Sequence, residues 1–180
     1  LSEFSDQGEA LDKLETGTDL AVLKTGDESV YRYDQMGTHS YENSSMQTGT
    51  NGTSYYFSVA SGDITNFFNE VDLNTPWDYH YENLDSRTIL DRLAAVKYFV
   101  VKAGEEEYLP YGYDTLAAEV EKNDKLYRAY ECKNALPIGY TYDSYIPEEK
   151  YAKMSTVEKQ QALLQGVILS NSTVPETTSE

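Results

Sequence analysis

The feature that most constrains the fold is a helical pattern that runs directly into an apolar strand pattern. Asp85 can cap a helix that continues to about Val96, because apolar residues recur there at the spacing of one helix face. The sequence KYFVV from Lys97 to Val101 follows at once, and its aromatic and β-branched residues favour a buried strand. A helix joined in this way to a buried strand predicts a sheet with a helix packed against it.

The size of the chain favours one domain with a real core. It has 180 residues, of which 39% are hydrophobic and 25% are charged. The longest apolar run, Ala94 to Val101, is far shorter than the about 20 residues that cross a bilayer. The chain begins at Leu1 and has no signal peptide, which indicates a piece of a larger protein. We therefore predict one α/β domain over residues 1–170 and a disordered tail over residues 171–180.

Strand and helix patterns alternate along the rest of the chain. Strand patterns occupy Asp19 to Lys24, Val30 to Asp34, Tyr55 to Ala60, Trp77 to Glu82 and Leu126 to Cys132. Helix patterns occupy Phe4 to Gly17, Asp63 to Val71, a segment that Asp114 opens with Leu116, Ala117 and Val120, and a segment from Met154 whose apolar stripe is Ala162, Leu163, Val167 and Ile168. In that last helix Ser155 and Glu158 form a capping box. The polar segment Gly37 to Ser54 is predicted to be mostly loop. The fold class is thus α/β, a mixed β-sheet layered with about four to five short helices, with α+β as the alternative.

The segment Tyr130 to Asp143 has the aromatic alternation of a strand, but Pro137 and Gly139 interrupt it. Proline cannot donate to a sheet ladder, so it does not suit a central strand. We expect a strand that ends at Lys133-Asn134, followed by a bend in which Gly139 adopts a conformation that other residues resist. Replacing Gly139 by Val should then destabilise the domain more than replacing Tyr142 by Phe.

Charge and motif content exclude several function classes. The formal net charge of −17 argues against nucleic-acid binding, which needs clustered Lys and Arg, and against adsorption to an anionic membrane. Cys132 is the only cysteine, so neither an intrachain disulfide nor a cysteine metal site can form, and a buried thiol is expected. The chain has no P-loop, dinucleotide-binding glycine motif or G-x-S-x-G elbow. We predict no cofactor and assign no catalytic residue.

One set of residues has the spacing of metal ligands. Asp78, His80 and Glu82 alternate along a strand pattern, so their side chains point the same way and could face one cation. The alternative is a solvated strand face whose opposite side buries aromatic rings, and we favour it. The prediction is therefore that no metal is bound.

Aromatic residues supply the candidates for ligand contact, since the chain has 17 tyrosines. Saccharide-binding surfaces place rings beside Asp and Asn, because apolar sugar faces stack on the rings while polar side chains bind the hydroxyls. Tyrosine also suits half-buried strands, so a purely structural role is the alternative. The candidates for saccharide contact are Trp77, Tyr79, Tyr81, Tyr111 and Tyr113, with Tyr140, Tyr142 and Tyr145 as further rings.

Several short motifs cover most of the chain in a fixed order. They are YRYD from Tyr31, Asn43, a polar loop centred on Gly52 that leads into Tyr55-Tyr56-Phe57, RTILDRLAAVKYFVV from Arg87, Leu109-Pro110-x-Gly112, and YExKNALPIGY from Tyr130. With these motifs the sequence resembles the bacterial YfhO-like family of large multi-pass membrane proteins. The positions that carry the resemblance are Arg32, Asn43, Gly52, Arg87, Lys97, Tyr98, Pro110, Asn134, Pro137 and Gly139.

The resemblance implies a loop domain on the outer face of the bacterial cytoplasmic membrane. The parent proteins look like GT-C-type glycosyltransferases, which use lipid-linked sugars to decorate cell-envelope polymers such as teichoic acids. Their catalytic acid usually lies near the first transmembrane helices, so no catalytic residue is carried over and the fragment alone is expected to be inactive. The implied partners are the transmembrane helices of the parent and a cell-envelope saccharide or polymer.

Three hypotheses about function follow from these observations. The leading one is an accessory extracytoplasmic domain that helps to shape the acceptor site. The alternatives are a structural or interaction module that packs on its own membrane helices or a partner, and a saccharide-binding module. An acidic chain suits an anionic polymer poorly unless a cation bridges them, which counts against direct polymer binding.

Overall fold

The computed structural model describes residues 16–36, 43–73 and 79–170. Its elements are short and alternate between helix and strand. In chain order they are α1 (Gly17–Leu23), β1 (Arg32–Gln35), α2 (Ser44–Thr48), β2 (Tyr55–Tyr56), α3 (Gly62–Glu70), β3 (His80–Tyr81), α4 (Thr88–Leu93), β4 (Val96–Lys102), a 3-10 helix (Glu106–Tyr108), β5 (Thr115–Lys122), β6 (Lys125–Glu131), β7 (Tyr145–Pro147), α5 (Glu148–Tyr151), α6 (Thr156–Leu163) and β8 (Val167–Leu169).

The main sheet has four strands in the order β1-β4-β6-β5. β1 runs parallel to β4, whereas β6 runs antiparallel to both β4 and β5. Two smaller sheets pair β2 with β3 in antiparallel and β7 with β8 in parallel orientation. The mixed sheet with six short α-helices in the described ranges confirms the predicted fold class.

The core lies on both sides of β4, as its apolar sequence predicts. On one face, Phe99 packs with Phe68 of α3 and Leu90 of α4. On the other face, Val100 packs with Val22 of α1. A strand buried on both faces has a nearly continuous apolar sequence, so the prediction of a buried strand after Lys97 is confirmed.

The predicted strand from Asp19 to Lys24 is wrong, because this segment forms α1. Thr16 caps the helix, its hydroxyl accepting a hydrogen bond from the backbone N–H of Asp19 at 3.1 Å. A short apolar run fits a buried helix as well as a buried strand, so periodicity alone could not distinguish them. Gly17, predicted to end a helix, is the first residue of α1, and the rest of that predicted helix (4–15) lies outside the described residues.

The predicted helix after Asp114 is also wrong, because Thr115–Lys122 forms the edge strand β5. The turn to β6 explains the difference. Asn123 and Asp124 both adopt left-handed conformations, with φ of 53° and 58°, and two consecutive residues of that kind are typical of a tight β-hairpin. The turn therefore selects a strand from a segment whose apolar spacing also fits a helix.

Three further boundaries differ from the sequence prediction. Asp85 has a left-handed φ of 54° and precedes the helix that it was expected to cap, since α4 begins at Thr88. Ala95, with a φ of 61°, lies between α4 and β4 and separates the two elements. A short helix, α2, forms inside the segment that was predicted to be mostly loop.

The last helix begins where the sequence predicts and ends earlier. The capping box of Ser155 and Glu158 is present at the start of α6, which confirms that prediction. The helix ends at Leu163, however, and Val167 and Ile168 belong to β8 rather than to its apolar stripe. They pair with β7 as a strand, so the helix cannot include them.

The segment around Pro137 lies outside the strands, as its proline predicts. The preceding strand β6 ends at Glu131, and the chain bends at Ile138 and Gly139. The expected role of Gly139 is wrong, because its φ is not in the left-handed range and a Cβ there would meet nothing within 4 Å. Tyr142, by contrast, donates a hydrogen bond to the carbonyl of Leu163 and anchors this segment on α6.

Two glycines at equivalent helix starts test the packing of α1. A Cβ on Gly17 would lie 2.2 Å from the Tyr127 ring, whereas a Cβ on Gly62 at the start of α3 would meet nothing within 4 Å. Gly17→Ala should lower the free energy of unfolding by about 1–3 kcal/mol through overpacking. Gly62→Ala should leave it unchanged or raise it by up to about 1 kcal/mol, because alanine favours helix. Chemical denaturation measures both, and a stabilising Gly17→Ala would contradict the packing of α1 on β6.

Candidate functional site

A pair of buried carboxyl groups lies where α4 meets the sheet. Asp34 on β1 and Asp91 on α4 are both 0% exposed. Asp34 accepts hydrogen bonds from the Thr53 hydroxyl at 2.6 Å and from the backbone N–H groups of Gln35 and Leu84 at 2.7 Å and 3.1 Å. The carboxyl of Asp91 interacts electrostatically with Asp34, and neither of its oxygens has a hydrogen-bond partner in the described residues. The protein thus stabilises the charge of Asp34 through three hydrogen bonds and leaves that of Asp91 without any.

Burial favours the neutral form of both acids. It raises the pKa of Asp34 to about 6, although the hydrogen bonds of Asp34 oppose the increase. Burial and the negative charge of Asp34 raise the pKa of Asp91 well above its usual range. Two carboxylates cannot both ionise at close range without strong repulsion. The ionisation of one acid therefore opposes the ionisation of the other.

The next residue of α4 opens onto a polar cleft of about 410 Å³. We call it the Arg92 cleft, and its walls are Arg92, Tyr111, Gly112, Asp114, Lys133 and Asn134. Three segments that are distant in sequence therefore meet there: α4, the loop before β5 and the turn after β6.

Hydrogen bonds to α4 hold the other two segments in place. The Thr88 hydroxyl donates to the carbonyl of Tyr111 at 3.1 Å, and the N–H of Leu136 donates to the carbonyl of Arg92 at 3.1 Å. The Tyr111 ring is 86% exposed at the cleft wall. The position of the cleft is thus fixed by the backbone, while the ring remains available to a ligand.

The electrostatics of the Arg92 cleft differ from those of the whole chain. Neither Arg92 nor Lys133 forms an ion pair with any residue that the structure describes. The Nε atom of Arg92 is shielded from solvent and lacks a hydrogen-bond partner within the described ranges. Asp114 is the one carboxylate in the wall. The cleft is a locally cationic spot on a chain whose formal net charge is −17.

The structure separates the aromatic candidates. Tyr81 and Tyr113 are 1% and 2% exposed, so both belong to the core. Tyr79 is half-exposed and packs edge-on against Tyr56, while Trp77 lies outside the described residues. Tyr111 is thus the candidate whose ring lies beside polar side chains in a cleft. The further rings are elsewhere, since Tyr140 and Tyr142 line an apolar pocket and Tyr145 starts β7.

The candidate metal ligands are not brought together among the described residues. Asp78 lies outside those residues, and His80 is only 7% exposed on β3, with its ring edge-on to Tyr56. The expectation that His80 lies on a solvated face is wrong, because β3 is covered on both sides. No group of three His, Cys, Asp or Glu side chains that could hold a metal occurs in the residues described.

Most positions that carry the family resemblance have structural roles. Arg87 donates to the carbonyls of Val71 and Asp72 at 2.6 Å and 2.7 Å and so fixes the start of α4. Lys97 pairs with Asp27, which also accepts from the Tyr98 hydroxyl at 2.9 Å.

Other family positions lie at clefts, turns and bends. Arg32, Asn43 and Gly52 line a second cleft, of about 350 Å³. Pro110 is buried and accepts a hydrogen bond from the N–H of Tyr113 at 3.3 Å. Asn134 belongs to the Arg92 cleft, whereas Pro137 and Gly139 lie in the bent segment described above.

Sequence reasoning missed Asp34, Asp91, Arg92 and Lys133. The motifs YRYD, RTILDRL and YExKN contain all four residues. The residue types alone, however, do not predict that the two acids are buried and that the two cations lack ion pairs. The Asp-Arg pair within the apolar helix pattern was the available signal, because a charge at a predicted core position needs a buried partner.

The class of this protein follows from the fold and from its similarity to known families. It is an α/β domain, and none of its helices in the described ranges is long and apolar enough to span a bilayer. A family model described as "Bacterial membrane protein YfhO" matches residues 2–180, so the chain belongs to the YfhO family of bacterial membrane proteins.

A comparison with a full-length relative shows how much of such a protein the chain represents. The chain is 28% identical over 154 residues to a protein of Bacillus subtilis (strain 168) named "Uncharacterized protein YfhO". The match covers 83% of this chain but 17% of that relative. No solved structure matches the chain significantly.

The raised pKa values of Asp34 and Asp91 make stability depend on pH. A carboxyl whose pKa is raised on folding contributes stability that is complete below its unfolded pKa, roughly 3.9, and is lost as pH rises through its folded pKa. For Asp34 that loss runs up to about pH 6, and Asp91 extends it to higher pH. The pKa of Asp27 changes in the opposite direction. Burial raises it, but hydrogen bonds from Lys97 and Ser29 lower it overall. The stability that Asp27 contributes is therefore lost only in stronger acid. The free energy of unfolding should therefore be higher at pH 5 than at pH 8.

Asp91→Asn tests this assignment directly. The amide keeps the size of the side chain and a donor to Asp34 but cannot ionise, so the variant should gain about 1–3 kcal/mol at pH 8 and show a flatter pH profile. Asp143→Asn removes one charge from an exposed position and serves as the control for net charge. Urea denaturation at pH 5 and pH 8 measures all three proteins. Equal pH profiles for wild type and Asp91→Asn would rule out a raised pKa of Asp91.

Proposed function

We propose that this chain is an accessory extracytoplasmic domain of a YfhO-family membrane protein and that it binds a cell-envelope saccharide in the Arg92 cleft. The observation that carries the proposal is one exposed ring, Tyr111, in a cleft whose wall also holds Asp114 and Asn134. The domain would comprise residues 1–170 and lie on the outer face of the bacterial cytoplasmic membrane.

The composition of the cleft fits a sugar. An exposed tyrosine ring offers an apolar face on which a pyranose can stack, and carboxylate and amide groups bind its hydroxyls. The volume of about 410 Å³ lies within the range of small-molecule sites. Because hydrogen bonds to α4 hold both other segments, little ordering would be needed on binding.

The chemistry of sugar transfer would belong to the rest of the parent protein. Asp34 and Asp91, the described acids with raised pKa values, are fully buried and point away from the cleft toward each other. A general acid must reach the group that it protonates, so neither suits that role. We propose that the parent transfers sugars from lipid-linked donors to envelope polymers such as teichoic acids, and that this domain helps to hold the acceptor.

A second candidate function is packing against the transmembrane helices of the parent or another protein. Met46 and Phe57, which are 77% and 58% exposed, both line the second cleft, and Val59 nearby is 78% exposed. Exposed apolar side chains in one region are typical of contact surfaces. This surface and the Arg92 cleft share no lining residue, so the two functions are compatible.

Saccharide binding can be measured by two-dimensional NMR on the 180-residue chain. Titration with glucose or with teichoic-acid fragments to millimolar concentration should shift the backbone resonances of Gly112, Lys133 and Asn134. Tyr111→Ala should weaken binding about tenfold, in keeping with the loss of one stacking ring. The control is Tyr108→Ala, which removes a ring that is 51% exposed and lies outside the cleft wall.

Two results would contradict the proposal. One is the absence of any shift at these residues with every saccharide tested. The other is an equal effect of Tyr111→Ala and Tyr108→Ala, because a specific cleft requires that only the first ring matters.

A further inference from the structure

The Arg92 cleft contains two cations that the described protein leaves unneutralised. Arg92 and Lys133 line the same wall, and neither has an ion-pair partner in the described ranges. An exposed lysine is often unpaired, but an unpaired half-buried arginine is unexpected in a chain with 31 acids and 14 Lys and Arg residues. A partly buried guanidinium usually finds a carboxylate in such a protein, so its isolation calls for an explanation.

Arg92 gains no ion pair from its own helix. Asp91 is the adjacent residue in α4, but it is buried in the core, and successive residues of a helix do not face each other. Asp91 therefore does not neutralise the guanidinium. The remaining carboxylate in the wall, Asp114, balances one of the two positive charges, which leaves the cleft with a net charge of +1.

The backbone also leaves room for the guanidinium. Gly112 has a φ of 96°, and a Cβ at this position would lie 2.9 Å from Nη2 of Arg92. Any other residue would therefore be strained in its backbone and would displace the charged group. Glycine thus leaves space for Nη2 at the cleft wall.

We propose that the Arg92 cleft takes a saccharide that carries a single anionic group, either a phosphate or a carboxylate. The inference rests on the proposed function, because it names the ligand class of the same cleft. Arg92 would bind the anion through its planar guanidinium and Lys133 through its ammonium group, while Tyr111 stacks on the sugar. Asp114 and Asn134 remain for the hydroxyls.

The charge distribution limits the ligand to one anionic group at a time. The net charge of +1 suits one anionic group, but the rest of the chain is strongly acidic. A run of phosphates that extended beyond the cleft would meet this negative field and be repelled. The cleft would therefore select the end of a polymer or a single charged sugar, which removes the conflict between an acidic domain and an anionic ligand.

The test compares four small ligands by NMR titration of the 180-residue chain. Glucose 1-phosphate and glucuronate should bind about tenfold or more tightly than glucose, since charge-assisted hydrogen bonds are among the strong ones. Inorganic phosphate should shift Gly112 and Asn134 but bind more weakly than glucose 1-phosphate, because it lacks the ring that stacks on Tyr111. The preference for charged sugars should shrink in about 0.5 M salt, where charge interactions are screened.

Charge variants locate the anion. Lys133→Gln and Arg92→Gln should each lose most of the preference for glucose 1-phosphate over glucose. Lys133 is exposed, so its variant keeps the test valid if Arg92→Gln fails to fold. Lys153→Gln removes an exposed positive charge outside the cleft wall and should leave the preference unchanged.

The outcomes distinguish this inference from the proposed function. Equal binding of glucose and both charged sugars would overturn the inference and leave saccharide binding intact. Binding of inorganic phosphate as tight as that of glucose 1-phosphate would mean an anion site without a sugar and would overturn both. The absence of binding by all four ligands would also overturn both.

Discussion

The burial of Asp34 and Asp91 is the constraint on which the rest of this structure depends. The two acids lie on β1, at the edge of the sheet, and on α4, which covers the sheet from one side. Asp34 also accepts hydrogen bonds from Thr53 and Leu84, so the same carboxyl fixes the loops that precede β2 and α4. If both acids were ionised, repulsion inside the core would oppose the packing of α4 beside β1. The fold therefore favours the neutral form of at least one of them.

The orientation of α4 also shapes the surface. Asp91 is buried in the core, whereas the next residue, Arg92, lies at the cleft wall without an ion-pair partner in the described ranges. Gly112 leaves space for it, and hydrogen bonds from Thr88 and Leu136 bring the other two segments to the same place. The buried acid pair and the cationic cleft are thus two consequences of the orientation of α4.

Local signals in the sequence predicted some elements well. The capping box of Ser155 is typical of the start of a helix. The aromatic and β-branched residues of β4 favour a strand. The segment at Asp19 was wrongly predicted to be a strand, because a short apolar run suits both helix and strand. The cap at Thr16 is what distinguishes the two. The strand β5 was missed because its conformation depends on the turn at Asn123 and Asp124.

The candidate site was less predictable than the fold, and for a physical reason. Tyr111 was identified from its residue type, but the other walls of the cleft come from segments about 20 residues away in either direction. Whether Arg92 and Lys133 are paired depends on where Asp91 points, and that is a property of packing. A sequence pattern predicts which face of one helix or strand is buried. It does not predict which charged side chains lack an ion pair after the elements pack together.

The most direct measurement of the central claim is a 13C NMR titration of the aspartate carboxyl carbons. The Asp34 carboxyl should titrate near pH 6, and the Asp91 carboxyl should titrate well above the range of an ordinary aspartate. Titration of both carboxyl groups near pH 4, as in unperturbed aspartates, would contradict the account.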